Sequence, residues 1–218
     1  MFKQRQLAGV GIGLAITSLA AGIYLAKPPK PSFTDLQISS SSSISPDLHR
    51  LVISNKNNSF GFRSDRLQHL LIKDQAQISR MYTPINIQPD SFDLIVKNYT
   101  SGYMSPKLAL ATPTNNCGLE AILIDSGISL VPNMRIRGEC HGTGVLPFVQ
   151  MHQKQPLISL DLFYTNQTLN FLLPHKDNIS VHDFNSGDCS GPDILMVSGS
   201  RQFAKQFTGH HIDLNGVY

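Results

Sequence analysis

Two short segments carry the residue types needed to hold a phosphorylated aromatic cofactor. Arg80-Met81-Tyr82-Thr83-Pro84 closes one apolar stretch and enters a turn, and Val96-Lys97-Asn98-Tyr99-Thr100-Ser101-Gly102-Tyr103-Met104-Ser105 closes the next. The guanidinium of Arg80 offers a planar fork that matches phosphate. Tyr82 and Tyr99 offer flat faces for stacking, and Thr83 a short hydroxyl for a ring heteroatom. Gly102 allows close approach of the backbone. Met104-Ser105 opens a helix whose free N–H groups can hold a pyrophosphate. Each residue alone is an ordinary surface or strand residue. Their order on two successive strands makes a binding site the better reading.

Other groups carry less. Cys140-His141 sits at a strand end, where the simpler reading is a buried cysteine closing the strand beside a histidine. His210-His211 follows Gly209 with no carboxylate or cysteine at ligand spacing, so a solvated turn is expected and no metal site. Ser198-Gly199-Ser200 lacks the G-x-S-x-G pattern of a nucleophile elbow. Cys117, Cys140 and Cys189 are three cysteines without a CxxC, which argues against a disulfide framework and a structural zinc. Glycosylation sequons occur at Asn57, Asn98, Asn166 and Asn178, but such matches are frequent by chance, and two of them fall inside segments that carry other signals.

These residues must be positioned by two kinds of structure. From Ser32 to about Asn133 short apolar runs alternate with polar residues, as in Phe33–Ile38, Leu48–Ile53, His69–Lys73 and Phe92–Lys97, separated by turns at Ser39–Pro46, Asn55–Gly61 and Pro84–Ser91. That spacing predicts an antiparallel barrel or sandwich. The serine run Ser39–Ser43 reads as a strand edge or loop. After Pro132 the texture changes: a strand at Met134–Cys140, a Gly142-Thr143-Gly144 turn, and a helix at Val145–Gln153 opened by Pro147. Apolar runs at Ile158–Tyr164 and Ile194–Val197 follow, with a short helix expected around Thr168–Leu173. Such alternation predicts a parallel α/β layer.

In this order the motifs resemble the NADH–cytochrome b5 reductase family, within the ferredoxin-reductase-like flavoproteins. RMYTP and VKNYTSGYMS are similar to its flavin-binding signature. Leu67-Gln68-His69 stands where the family has Gly-Gln-His. His141-Gly142-Thr143-Gly144-Val145-Leu146-Pro147 is similar to its Gly-Gly-Thr-Gly-Ile-Thr-Pro turn. Phe163–Thr168 resembles its Asn-Gln-Thr strand end, and Met196–Ser200 stands where a Cys-Gly-Pro-Pro turn is expected. The likeness covers about residues 33–209. It implies a barrel binding FAD and a lobe binding NAD(P)H. Carried across, Arg80 holds an FAD phosphate and Tyr82 packs on the isoalloxazine. Thr83 bonds near the flavin N5, with Pro84 beside it, and Val96, Lys97 and Tyr99 line the cofactor. Gly102, Met104 and Ser105 cradle the pyrophosphate. Gly142, Thr143, Gly144, Ser198 and Gly199 form the nucleotide side, with Thr83 and Thr143 nearest the reacting atoms.

The departures lie in the lobe. It spans only residues 134–218, His141 replaces a glycine, and Leu146 replaces a hydroxyl residue. Ser198 stands in place of cysteine, the Pro-Pro after Gly199 is missing, and Asp125-Ser126-Gly127 stands where an Arg-Gly-Pro turn is expected. A fungal mitochondrial branch of the family, which assists haem attachment to cytochrome c, shares the serine and an N-terminal anchor.

Leu7–Ala26 is twenty residues without charge between Lys3/Arg5 and Lys27/Lys30, which is about 30 Å of helix and enough to cross a hydrocarbon core. A cleaved signal would have a shorter apolar region. Residues 1–34 hold four cations and no acid. The other 184 residues hold 14 basic and 15 acidic groups, a net charge of −1, so no nucleic-acid partner is expected. The expected architecture is therefore a transmembrane helix and Pro-rich spacer (residues 1–31), an FAD-binding antiparallel β-barrel (32–133) and a short α/β nucleotide-binding lobe (134–218). The expected protein is a single-pass, membrane-anchored NAD(P)H-dependent flavin oxidoreductase. Its acceptor would be a haem protein of the cytochrome b5 or cytochrome c type, or another membrane electron acceptor. The mitochondrial inner membrane is the favoured location, with the outer membrane or endoplasmic reticulum as alternatives. The rival expectation is a non-catalytic flavin-fold assembly or scaffold protein with a degenerate lobe.

Overall fold

The computed structural model describes residues 32–165, 169–174, 176–182, 194–199 and 212–214. Among them no helix is long and apolar enough to cross a membrane; the span expected at residues 7–26 lies outside the described residues, as do His210-His211 and the Asn166-Gln167-Thr168 strand end.

Two antiparallel sheets build the first half. One has the order β1-β7-β4-β5, with β1 Thr34–Asp35, β4 Arg66–Lys73, β5 Ser79–Tyr82 and β7 Glu120–Ser129; the other has the order β2-β3-β6, with β2 Ile38–Ser45, β3 Leu48–Ser54 and β6 Ser91–Lys97. The strand expected over Phe33–Ile38 is split. Thr34–Asp35 pairs with β7, while Ile38 begins the pairing with β3, so the chain turns a corner from one sheet to the other at Leu36–Gln37. A bridge between Ile85 and Asp93 links the sheets on the opposite side. Leu51 and Ile53, Leu70 and Ile72, Phe92 and Leu94, and Ala121 share one buried core, which is what the alternating pattern of these strands dictates. Phe60 and Phe62 close its end, each edge-on to Phe92 at 5.5 and 5.1 Å between ring centroids.

The stretch Ser39–Pro46, expected as a turn, is almost wholly strand. β2 runs through the serines as an exposed edge, held by its backbone ladder to β3. Serine has no apolar face to alternate, so the pairing partner decides the conformation there rather than the pattern.

The second half is one parallel sheet of order β10-β9-β8-β11-β12, with β8 Arg135–His141, β9 Ser159–Thr165, β10 Ile179–His182, β11 Ile194–Ser198 and β12 Ile212–Asp213. Among the described residues two α-helices occur: α1 Met104–Leu110, which follows β6, and α2 Leu146–Lys154, which crosses from β8 to β9. Pro147 stands in the first turn of α2, where its missing N–H costs nothing. A 3-10 turn at Asn170–Leu172 occupies part of the short helix expected nearby. α2 packs Phe148, Val149 and Met151 onto Ile136, Cys140, Leu160, Leu162 and Tyr164. A Cβ on Gly138 would lie 2.6 Å from the Phe148 ring and 2.5 Å from Leu162, so only glycine lets this helix sit so close to β8.

That same core takes in Leu48, Leu67, Ile85 and Ile95 from the antiparallel sheets, so barrel and lobe pack as one body. The opposite edge of α2 adds polar ties. The Gln68 N–H donates to Gln150 Oε1 at 2.9 Å, and Gln150 Nε2 donates to the carbonyls of Gln68 at 2.8 Å and Pro84 at 2.6 Å. Lys154 Nζ donates to the carbonyls of Arg63 and Arg66, both at 2.8 Å, and to Gln68 Oε1 at 3.1 Å. Burial lowers the Lys154 ammonium to about 8, which leaves it charged at neutral pH.

Candidate cofactor site

A cavity of about 810 Å³ opens where barrel and lobe meet. β4, β5 and the residue after β5 supply His69, Leu71, Arg80, Met81, Tyr82 and Thr83. β6 and the loop into α1 supply Ile95, Lys97, Tyr99, Gly102, Tyr103, Met104 and Ser105. The lobe supplies His141, Thr143, Gly144, Leu146, Pro147, Ser198, Gly199 and Leu214. Among the described residues no Asp or Glu lines it, while Arg80 and Lys97 do, so this part of the wall is suited to an anionic ligand. A smaller cavity of about 460 Å³ at the lobe edge, lined by Asn170, Lys176 and Val181 among others, contains none of the residues singled out in the sequence.

Twelve of the fifteen site residues expected from sequence line the large cavity: Arg80, Tyr82, Thr83, Lys97, Tyr99, Gly102, Met104, Ser105, Thr143, Gly144, Ser198 and Gly199. Pro84, Val96 and Gly142 do not. Val96 is 1% exposed and belongs to the barrel core, because on a strand its neighbours Ile95 and Lys97 take the other face. Pro84 is buried and contributes its carbonyl to Gln150. Gly142 is buried at φ +56, and its carbonyl accepts the Tyr164 hydroxyl at 2.8 Å. The two strands bearing the motifs, β5 and β6, lie in different sheets, and residues of both line the cavity.

The barrel wall is ordered by local bonds. Gly102 N–H donates to the Tyr99 carbonyl at 2.7 Å, and Tyr99 N–H to Ser105 Oγ at 3.1 Å. A Cβ on Gly102 would stand 2.7 Å from Ser105 Oγ and 3.0 Å from the Tyr99 oxygen, so the turn closes this tightly only with glycine. Burial pushes the Tyr82 hydroxyl above its usual range, so the ring stays neutral. Thr83, 9% exposed, shares a 2.9 Å hydrogen bond with Nδ1 of the buried His69. Burial, and after it the nearby Lys154 charge, lower His69 to about 4, so the imidazole is neutral at pH 7.

On the lobe side the 3-10 turn Gly142–Val145 presents Thr143 to the cavity. Gly144 is pressed against the end of β11: a Cβ there would lie 2.3 Å from the Ser198 carbonyl oxygen and 2.7 Å from its carbon. Backbone cannot yield as a side-chain tip can. Gly144→Ala is therefore expected to destabilise the protein by about 1–3 kcal/mol, read as a lowered urea midpoint with an unchanged m value. Cys140 points into the core behind the strand, its thiol pushed well above the usual range by burial and by Glu139, while His141 is exposed at the cavity. The two neighbours thus face opposite sides, and the thiol is not presented to the site.

Residues 35–120 match the family model described as the oxidoreductase FAD-binding domain. The match covers less than half of the chain and makes these antiparallel sheets similar to that family. No curated protein sequence matches the chain. Over the whole fold the chain is similar to the cytochrome b5 reductase domain of Ulva prolifera nitrate reductase, at 17% identity and TM-score 0.59, covering 82% of this chain and 90% of that one. It is also similar to the flavohemoglobin of Malassezia yamatoensis, determined with bound FAD and heme, at 14% identity and TM-score 0.63, covering 89% of this chain and 60% of that one. A ferredoxin NADP+ reductase of Neisseria gonorrhoeae with bound FAD and NADP matches at 17% identity and TM-score 0.52, covering 79% and 87%. What is shared with them is the fold, antiparallel sheets followed by a parallel α/β sheet.

The residues around the cavity fit FAD. Among the described residues the cavity wall is free of acids, two glycines hold turns that a Cβ would break, and two exposed tyrosines line it. Sequence reasoning gave no site role to His69, Leu71, Tyr103 or Leu214. His69 was visible only through its Gln-His pair. Leu71 and Leu214 look like any core leucine, and Tyr103 was passed over inside the motif that contains it.

Proposed function

We propose that the chain is an FAD-dependent oxidoreductase that takes hydride from NAD(P)H and delivers electrons to a haem protein or similar acceptor. The observation that carries this reading is the single cavity shared by the barrel motifs and the Gly142–Gly144 turn of the lobe. A barrel that merely stored flavin would need no lobe residue at its mouth. Bound FAD would supply the chemistry itself, accepting one hydride, with its two electrons, and releasing those electrons singly. Arg80 would hold a phosphate, Gly102 and Ser105 would let the backbone approach the pyrophosphate, and Tyr82 would cover one ring face. The Thr83 hydroxyl, held in one orientation by neutral His69, would bond the flavin near its reacting nitrogen. Thr143, on its braced turn, would orient the incoming nicotinamide.

Residues 7–26 would anchor this domain in a membrane, and the acid-free basic start supports a mitochondrial one, the inner membrane first. There the acceptor would be a cytochrome b5 or cytochrome c type protein, and a place in cytochrome c maturation follows from the resemblance noted above. Subcellular fractionation with carbonate extraction tests the anchor: release into the soluble fraction would remove it.

Anaerobic titration of the full-length protein tests the reaction. Loss of the visible flavin band on adding NADH or NADPH is expected. Arg80→Ala should weaken FAD binding roughly ten- to a hundredfold, the loss of a charge-assisted bond. A second reading, a non-catalytic flavin-fold scaffold, is favoured by His141 standing exposed in the nucleotide side of the cavity and by Leu146 and Ser198 beside it. Flavin that binds but is reduced by neither donor would select it.

A further inference from the structure

We propose that the lobe edge beside β10 is the surface on which two copies of this chain pair about a two-fold axis, with Phe171 of each copy seated in the groove of the other. The inference is independent of the cofactor reading. It begins with an unequal covering of the parallel sheet. The register sets Ile179 beside Leu160 and Val181 beside Leu162, so all four side chains point to the face that carries α2. The two leucines of β9 are buried there in the core that α2 shares. β10 is the edge strand of the sheet and is less covered: Ile179 is half-buried and Val181 is 38% exposed. The described part of the connection from β9 to β10 forms only the 3-10 turn Asn170–Leu172, not a helix like α2.

Beside β10 lies the groove of about 460 Å³, with Leu173, Pro174, Ile179 and Val181 on its walls and Lys176 and Asp177 among them. Phe171, next in the chain to the lining residue Asn170, is 60% exposed. An aromatic ring held in water next to an apolar groove is a knob beside a hole. Lys176 and Asp177 are opposite charges at adjacent positions, and among the described residues neither has an ion-pair partner. The surface thus carries each contact in both of its forms, knob with hole and cation with anion. A different protein would need to be matched by only one form of each. A surface that holds both forms is complementary to itself, and a two-fold axis sets each against its opposite on the second copy. The arrangement is that of an interface with an aromatic anchor in a pocket and charges around it.

The test measures the oligomeric state of the full-length protein in detergent, by sedimentation velocity over a range of concentrations. A concentration-dependent dimer is expected. Phe171→Glu should weaken it at least about thirtyfold, with the far-UV circular dichroism unchanged because the side chain is exposed. Lys176→Asp and Asp177→Lys, each alone, set like charges against one another and should weaken it about tenfold. Mixed in equal amounts, these two variants should form a mixed dimer as tight as the wild type, because every charge then faces its opposite. Only pairing between copies gives that rescue. A wild-type chain that stays monomeric up to about 100 μM would leave the groove to another protein or to a segment outside the described residues, and would overturn the proposal. So would a dimer indifferent to Phe171→Glu. Weakening by all three variants without rescue on mixing would mean a head-to-tail contact and would overturn the two-fold arrangement.

Discussion

Gln150→Leu is expected to destabilise the folded protein by about 3–5 kcal/mol, the largest loss from any single side chain in the seam between barrel and lobe. Gln150 is fully buried, and one amide satisfies three main-chain groups: it accepts from the Gln68 N–H and donates to the carbonyls of Gln68 and Pro84. Leucine matches its volume but leaves those groups without partners and away from water, and each orphan costs about 1–3 kcal/mol. Lys154, bonded to the carbonyls of Arg63 and Arg66, holds the adjacent turn but cannot reach these groups. Gln150→Glu separates hydrogen bonding from packing. Its carboxylate can still accept from Gln68 but faces two carbonyl oxygens, so it should be destabilised at pH 7 and regain stability as acid restores a donor proton. Chemical denaturation at pH 7 and pH 5 checks both variants. A Leu variant within 1 kcal/mol of wild type would mean that water replaces the amide.

The seam also marks where sequence reasoning stops. β3, β4 and β6 are readable because their apolar residues alternate with a period of two, and α2 because Pro147 opens an apolar run. Gln150, by contrast, is a glutamine among helix residues, and its partners lie 82 and 66 positions away. Nothing local distinguishes it from a solvated side chain. Val96 illustrates a different limit. It belongs to a motif, but strand geometry gives its side chain to the core, and the same alternation assigns Ile95 and Lys97 to the cavity. The serines of β2 carry no periodic signal at all, so only the pairing with β3 defines them. The site itself was legible where residue type alone constrains it: an arginine for phosphate, glycines where a Cβ cannot fit, and tyrosines beside them. It was not legible where main-chain atoms do the work, as at Pro84 and Gly142.

Acid should unfold the protein earlier than its carboxylates alone would require, because His69 cannot protonate in place. Its folded value of about 4 lies below the ordinary 6.5. The unfolded chain therefore binds this proton first as the pH falls. Stability contributed by the neutral imidazole is present above about pH 6.5 and is lost between there and about pH 4, to the extent of about 3 kcal/mol. Other groups act in or near this window. His152 is likewise lowered by burial and adds a loss of the same sign, whereas Glu139, raised by burial, acts in the opposite direction. Asp65 and Asp74 are held low by Arg63 and Lys107, and their contributions fade only at more acidic pH. Subtraction isolates His69: in His69→Asn, a neutral amide can keep a bond to Thr83, and the difference in urea midpoint from wild type should shrink or reverse between pH 6.5 and pH 4.5. The same neutrality bears on the reaction. With His69 uncharged throughout, the Thr83 hydroxyl keeps one bonding arrangement from about pH 5 to pH 8, so the rate of flavin reduction at saturating NADH or NADPH should be flat across that range. A rate falling with an apparent pKa near 6.5 would mean that His69 titrates as an exposed imidazole, and that the buried Thr83–His69 pair does not hold the hydroxyl in one orientation.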